Sequence, residues 1–195
     1  MIRTLPASTT LFALSLAGAL LLVPGAATSA FAQAKKPDAK KEEAKPAAPV
    51  RPSAIDKIND WGVYAAGAGK AKACYVLAEP KERAPKTLKR DPGYVFITQR
   101  PGEGVRNEVS VVMGFDVKPD SAPKAEIGTA SFAMIAKGGN LWLKNAAQET
   151  DFVAALRKSP RLIVKADSLK GNLTTDTYAL AGVAAALDRA TKECQ

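Results

Sequence analysis

Histidine is absent from the 195-residue chain, and cysteine occurs only twice, at Cys74 and Cys194. Without histidine there is no His-dependent catalytic triad, no His-rich zinc site and no side chain that ordinarily titrates near neutral pH. Long hydrophobic runs are also missing: Leu11 to Val23 holds about a dozen residues, where a spanning helix needs roughly 20. Acidic residues are outnumbered, 19 against 28 Lys and Arg, for a formal net charge of +9. The carboxylates are scattered, so none pair off for glycosidase chemistry.

The N-terminus supplies a compartment. Met1-Ile2-Arg3, the short apolar run and the closing Ala30-Phe31-Ala32 have the layout of a secretory signal peptide over residues 1–32, cleaved after Ala32. No Leu-x-x-Cys lipid-attachment box precedes the cut. The expected mature protein is exported, periplasmic or outer-membrane associated, and has no transmembrane anchor. In an oxidising compartment two cysteines read as one disulfide, Cys74 to Cys194, the alternative being two buried thiols. Such a bridge closes a loop of about 120 residues, worth about 4 to 5 kcal/mol on the chain-entropy model. An exported basic protein meets no genomic DNA; its expected partners are anionic envelope or host-surface components.

Residues 33–53, QAKKPDAKKEEAKPAAPVRPS, carry almost no large apolar side chain and cannot offset their ordering entropy, which predicts a disordered tether. Residues 54–195 then form a single domain. From Trp61 onward, short segments of period two are punctuated by Gly and Pro. Strands are predicted at 61–65, 71–79, 94–99, 109–116, 124–127, 131–136, 140–144, 161–168 and 174–180. In 94–99, Tyr94, Phe96 and Thr98 alternate with Val95 and Ile97, both sets apolar enough for a central strand. Residues 145–158 switch to helical spacing, with Glu149 and Asp151 near the beginning. In GVAAALDRATKEC, Val183, Leu187 and Cys194 fall near one helical face, which turns the thiol inward. The expectation is a mainly β domain, an antiparallel β-sandwich or flattened barrel of about eight strands, with two short helices, the second C-terminal.

Chemistry-bearing motifs are weak. Ser121-Ala-Pro-Lys124 has Ser-x-x-Lys spacing, but Pro119 and Pro123 interrupt the helix that would bring the lysine to the serine. Gly67-Ala-Gly69-Lys70 is too short for a phosphate loop and reads as a hairpin turn. Asn172-Leu-Thr174 matches a glycosylation acceptor by spacing alone. No cofactor, metal site or catalytic constellation is expected. The candidate binding segment is KERAPKTLKR, where Lys81, Arg83, Lys86, Lys89 and Arg90 stand against Glu82. A basic connection between strands suits phosphate, sulfate or carboxylate groups. Trp61, Tyr94 and Trp142 could line an aromatic platform, although their neighbours favour core or strand-edge positions.

The chain also resembles a known family. Asp60-Trp61-Gly-Val-Tyr, Ala73-Cys74-Tyr75, Arg90-Asp-Pro-Gly-Tyr-Val-Phe-Ile-Thr-Gln-Arg-Pro101 and Asn107-Glu-Val-Ser-Val111 are similar to motifs of the invasion-associated locus B proteins. So are Asn145-Ala-Ala-Gln-Glu149, Thr174-Thr-Asp-Thr-Tyr178 and the closing Ala186-Leu-Asp-Arg-Ala-Thr-Lys-Glu-Cys194. The resemblance runs from about Asp60 to the end and leaves out the tether. It implies an exported, β-rich envelope protein of alphaproteobacteria, with founding members linked to invasion of host red cells, and it carries over no catalytic residues. The resulting expectation is a non-enzymatic, virulence-associated envelope protein that binds an envelope or host-surface partner. A periplasmic inhibitor of a lysozyme or protease is the alternative.

Overall fold

The computed structural model describes residues 51–195; the predicted signal peptide and the predicted tether as far as residue 50 lie outside the described residues. The strands are β1 (Ser53–Ile58), β2 (Trp61–Ala66), β3 (Ala73–Ala78), β4 (Glu82–Ala84), β5 (Tyr94–Arg100) and β6 (Val105–Val112). They continue with β7 (Lys124–Ile127), β8 (Ala130–Lys137), β9 (Asn140–Leu143), β10 (Arg161–Asp167) and β11 (Leu173–Ala179). The helices are α1 (Glu149–Leu156) and α2 (Val183–Glu193). All strands join one antiparallel sheet in the order β1-β2-β3-β5-β6-β9-β8-β7-β10-β11-β4, 11 strands where the sequence predicts about eight. Two of them, β1 and β4, have no counterpart in the sequence pattern. Strand β1 begins at Ser53, the last residue assigned to the tether; only Ile55 and Ile58 are partly covered, and a bulge falls between Ala54 and Asp56. Strand β4 is three residues long and pairs through its backbone with β11.

The sheet bends on itself through β8. Ala130–Ala133 pair with β7, whereas Met134–Lys137 pair with β9, so one strand serves two layers, the corner-strand device of β-sandwiches. In the first layer Trp61, Val63, Val76, Val95, Ile97, Val109 and Val111 alternate inward; in the second, Ala125, Ile127, Leu162, Val164 and Tyr178 do so. Each large apolar side chain so buried contributes about 1.5 to 3 kcal/mol against exposure. Trp61 also satisfies its indole, whose Nε1 donates to the Ala179 carbonyl at 3.0 Å and links β2 to the end of β11.

The helices cover core edges that the strands leave open. Helix α1 carries Glu149 and Asp151 in its first turn, where carboxylates complement the helix dipole. It buries Phe152, Val153 and Leu156, with Phe152 edge-on to Phe132 at 5.0 Å. Helix α2 lies against β1, β2 and β3 and buries Val183, Ala186, Leu187 and Ala190, the face that the sequence spacing predicts. It enters from Gly182 at φ +88, where a Cβ would come within 3.0 Å of Ile58, so the backbone and the space both demand glycine there. Cys74 and Cys194 are disulfide-bonded with a Cα–Cα distance of 5.9 Å. Gln99 Nε2 donates to Thr191 Oγ1 at 2.8 Å, and Lys72 pairs with Glu193 at 3.1 Å, so β3, β5 and the last turn of α2 are tied at several points. No helix among the described residues is long and apolar enough to cross a membrane.

Candidate functional site

The five basic residues of the 81–90 connection do not form one cluster; the fold sends them to three places. Arg83 and Arg90 turn inward to Asp176, a fully buried carboxylate on β11. Arg83 donates from Nε to both Asp176 oxygens, at 3.2 and 3.1 Å, and Arg90 Nη1 donates to Oδ1 at 2.8 Å. Arg83 also donates from Nη1 to the Asp91 carbonyl and from Nη2 to the Met113 carbonyl, each at 2.7 Å. The Arg90 guanidinium lies 5.9 Å from the centroid of the Phe115 ring, within reach of a cation–π contact. Two guanidinium groups against one carboxylate leave a positive charge in excess, which the two carbonyls and the ring help to hold. Beside them the Tyr178 hydroxyl is buried without a hydrogen-bond partner; burial first, then the Asp176 carboxylate, push its pKa well above the ordinary phenol value.

Lys81 goes elsewhere, to Asp60, with Nζ 2.6 Å from Oδ1. Only Lys86 and Lys89 remain exposed without an ion pair among the described residues. Lys89 lines an open hollow of about 300 Å³ with Leu88, Phe115 and Leu169 as apolar walls and Lys170 as a second ammonium group. Arg90 and Asp116 also reach it. It can take a group that is anionic at one end and apolar at the other. Ser121 and Lys124, by contrast, make no nucleophile–base pair: Lys124 sits on β7 and pairs with Glu126 at 2.8 Å.

The aromatic residues form a second surface. Trp61 is fully buried and cannot belong to a platform, whereas Tyr94 and Trp142 point outward, half-covered. What the sequence reading missed is that Tyr64, Tyr75 and Phe96 share that outward face. Tyr64 pairs with Tyr75 across β2 and β3, and Phe96 with Ser110 across β5 and β6. The Tyr64 and Tyr75 rings are near-parallel, 13° apart with centroids 5.2 Å apart; Phe96 tilts against Tyr75 at 5.8 Å and against Tyr94 at 6.1 Å. Burial, and then Tyr64 beside it, raise the Tyr75 hydroxyl above its ordinary pKa, so it stays a protonated donor at neutral pH. Period-two alternation marks these residues as one face of each strand, but only the long-range register brings them together.

No protein-family model matches the chain, and no curated protein or solved structure matches it either.

Proposed function

We propose that this is an exported, non-enzymatic cell-envelope protein that binds an anionic envelope or host-surface component beside the 81–90 connection. The observation that carries this reading is Lys89, exposed and unpaired among the described residues at the hollow walled by Leu88 and Phe115, with Lys86, likewise exposed and unpaired, on the adjoining surface beside Pro85 and Leu88. Arg83 and Arg90 serve it indirectly, by clamping the connection to Asp176. Export is supported by the N-terminal signal pattern and accords with the Cys74–Cys194 disulfide. The resemblance to the invasion-associated locus B proteins supports an alphaproteobacterial envelope location and a role in host-cell association.

Co-sedimentation of the full chain with phosphatidylcholine vesicles, with and without lipopolysaccharide, tests the reading. Binding to the lipopolysaccharide-bearing vesicles is expected to weaken with salt. It should fall on the order of thirtyfold in a Lys86→Ala, Lys89→Ala double variant, at about 1 kcal/mol per lysine near an anionic surface. Equal binding by the variant would remove the connection from the binding surface.

A further inference from the structure

The hollow at the other end of the connection has a different chemistry. It encloses about 410 Å³ on the outer face of β2 and β3, with Tyr64 and Leu77 as its apolar surface. The Tyr64 ring lies back along its strand over Gly62, where an added Cβ would come within 2.6 Å of the ring. Glycine is therefore what lets the ring lie down, the aromatic cover of a strand glycine. Around this surface stand Asp60 and Lys81, paired with each other at 2.6 Å but each with acceptor or donor capacity left over, together with the carboxylate of Glu79 and the ammonium of Lys57. Two carboxylates and two ammonium groups leave the rim without net charge.

We infer that this hollow and the aromatic strip running from it bind a neutral oligosaccharide of pyranose rings. A sugar ring is amphipathic, with C–H groups over its faces and hydroxyls around its edge. The C–H face packs on an aromatic ring through dispersion and the ring quadrupole. The hydroxyls each donate and accept, so they need both carboxylates and ammonium groups within reach, which this rim supplies. Beside Tyr64 stand Tyr75, Phe96 and Tyr94, with neighbouring ring centroids 5.2 to 6.1 Å apart, so further aromatic surface adjoins the hollow. A polyanion gains nothing from a neutral rim and meets two carboxylates there. The site uses neither Lys86 nor Lys89, so it stands apart from the anionic surface proposed above.

Calorimetric or NMR titration of the full chain with chitotetraose and cellotetraose tests the assignment. Saturable binding of at least one is expected, weakened about tenfold by Tyr75→Ala and by Tyr64→Leu, the latter keeping apolar cover over Gly62 but losing the flat ring. Asp60→Asn with Glu79→Gln is expected to weaken binding while circular dichroism stays unchanged. The Lys86→Ala, Lys89→Ala variant should bind these sugars as the parent chain does, and Tyr75→Ala should bind lipopolysaccharide vesicles as before, so either proposal can fail alone. Failure of both sugars to bind, or equal binding by folded Tyr64→Leu and Tyr75→Ala, overturns the assignment. A dimer in sedimentation that Tyr75→Ala dissolves would also overturn it, by assigning the face to a second copy of the chain.

Discussion

The first layer of the sheet turns Tyr64, Tyr75, Tyr94 and Phe96 outward, while the second turns out Lys124, Glu126, Lys165, Thr175 and Thr177. Inside, the contrast reverses. Behind its aromatic face the buried side chains of the first layer are all apolar, whereas behind its polar face β11 buries Thr174 and Asp176. Thr174 Oγ1 is satisfied by the Ala166 carbonyl at 2.7 Å and Asp176 by two arginines. A sheet needs one apolar face to make a core, so aromatics on the other face of the first layer exceed what folding requires. Polar groups inside the second layer likewise exceed it, and of the two Asp176 is explained by holding the 81–90 connection in place. Surplus of each kind points to recognition on one face and anchorage behind the other.

The largest effect should come from the covalent tie between the first layer and α2. Replacing Cys74 and Cys194 together by Ala is expected to cost about 4 to 5 kcal/mol, read by urea denaturation beside the oxidised parent; a loss below about 1 kcal/mol would show that helix contacts alone hold the chain end. Next comes the internal tie of the second layer. Asp176→Ala strands two guanidinium groups and should cost about 3 kcal/mol or somewhat more, with the connection gaining protease sensitivity around Lys86. An unchanged cleavage rate would separate Asp176 from the anchoring role.

A smaller effect separates the two outer faces directly. Tyr75→Ala should cost about 1 kcal/mol, through its cross-strand and ring contacts, while Thr175→Ala on the opposite face should stay within about 0.5 kcal/mol. Equal costs would mean that the outer aromatics are no more than ordinary surface.

The smallest concerns acid. Pairing with Arg100 holds Glu108 below its ordinary 4.5, Lys124 and Lys165 do the same for Glu126, and Lys72 and Arg189 for Glu193. A carboxyl depressed in the folded state contributes fully above its unfolded pKa and loses that contribution as pH falls through its folded value. Glu149, raised mainly by burial, acts in the opposite sense and costs stability as pH rises through its folded value. With no histidine, the melting temperature should be nearly flat from pH 8 to about 5.5 and decline below about pH 4.5. A clear step between pH 6 and 7 would contradict this.

The β-rich domain and the positions of most of its strands were legible in the sequence because a half-buried strand must alternate. The disulfide was legible from chemistry and compartment together. Strand β1 was not, since an edge strand exposed on most positions imposes little pattern, and neither was β4, whose three residues pair through main-chain groups that any side chain carries. The basic connection was legible as charge but not as structure: the partner of Arg83 and Arg90 lies on β11, and a local count of charges cannot see it. The aromatic strip failed for a related reason. Tyr94, Phe96, Val95 and Ile97 leave the inward side of β5 undecided, and only register sets Tyr64 beside Tyr75.

The Cys74–Cys194 bond has a mechanical consequence. It encloses β3 through α2 in a covalent loop and leaves β1 and β2 outside. A pull on the N-terminal side of the domain therefore loads β1 first, an edge strand with one neighbour, and can unzip it and then β2 without stretching the looped remainder. The order in which strands yield to such a pull is thus set by the cysteine positions: β1 and β2 can peel away while the bond keeps the looped portion closed.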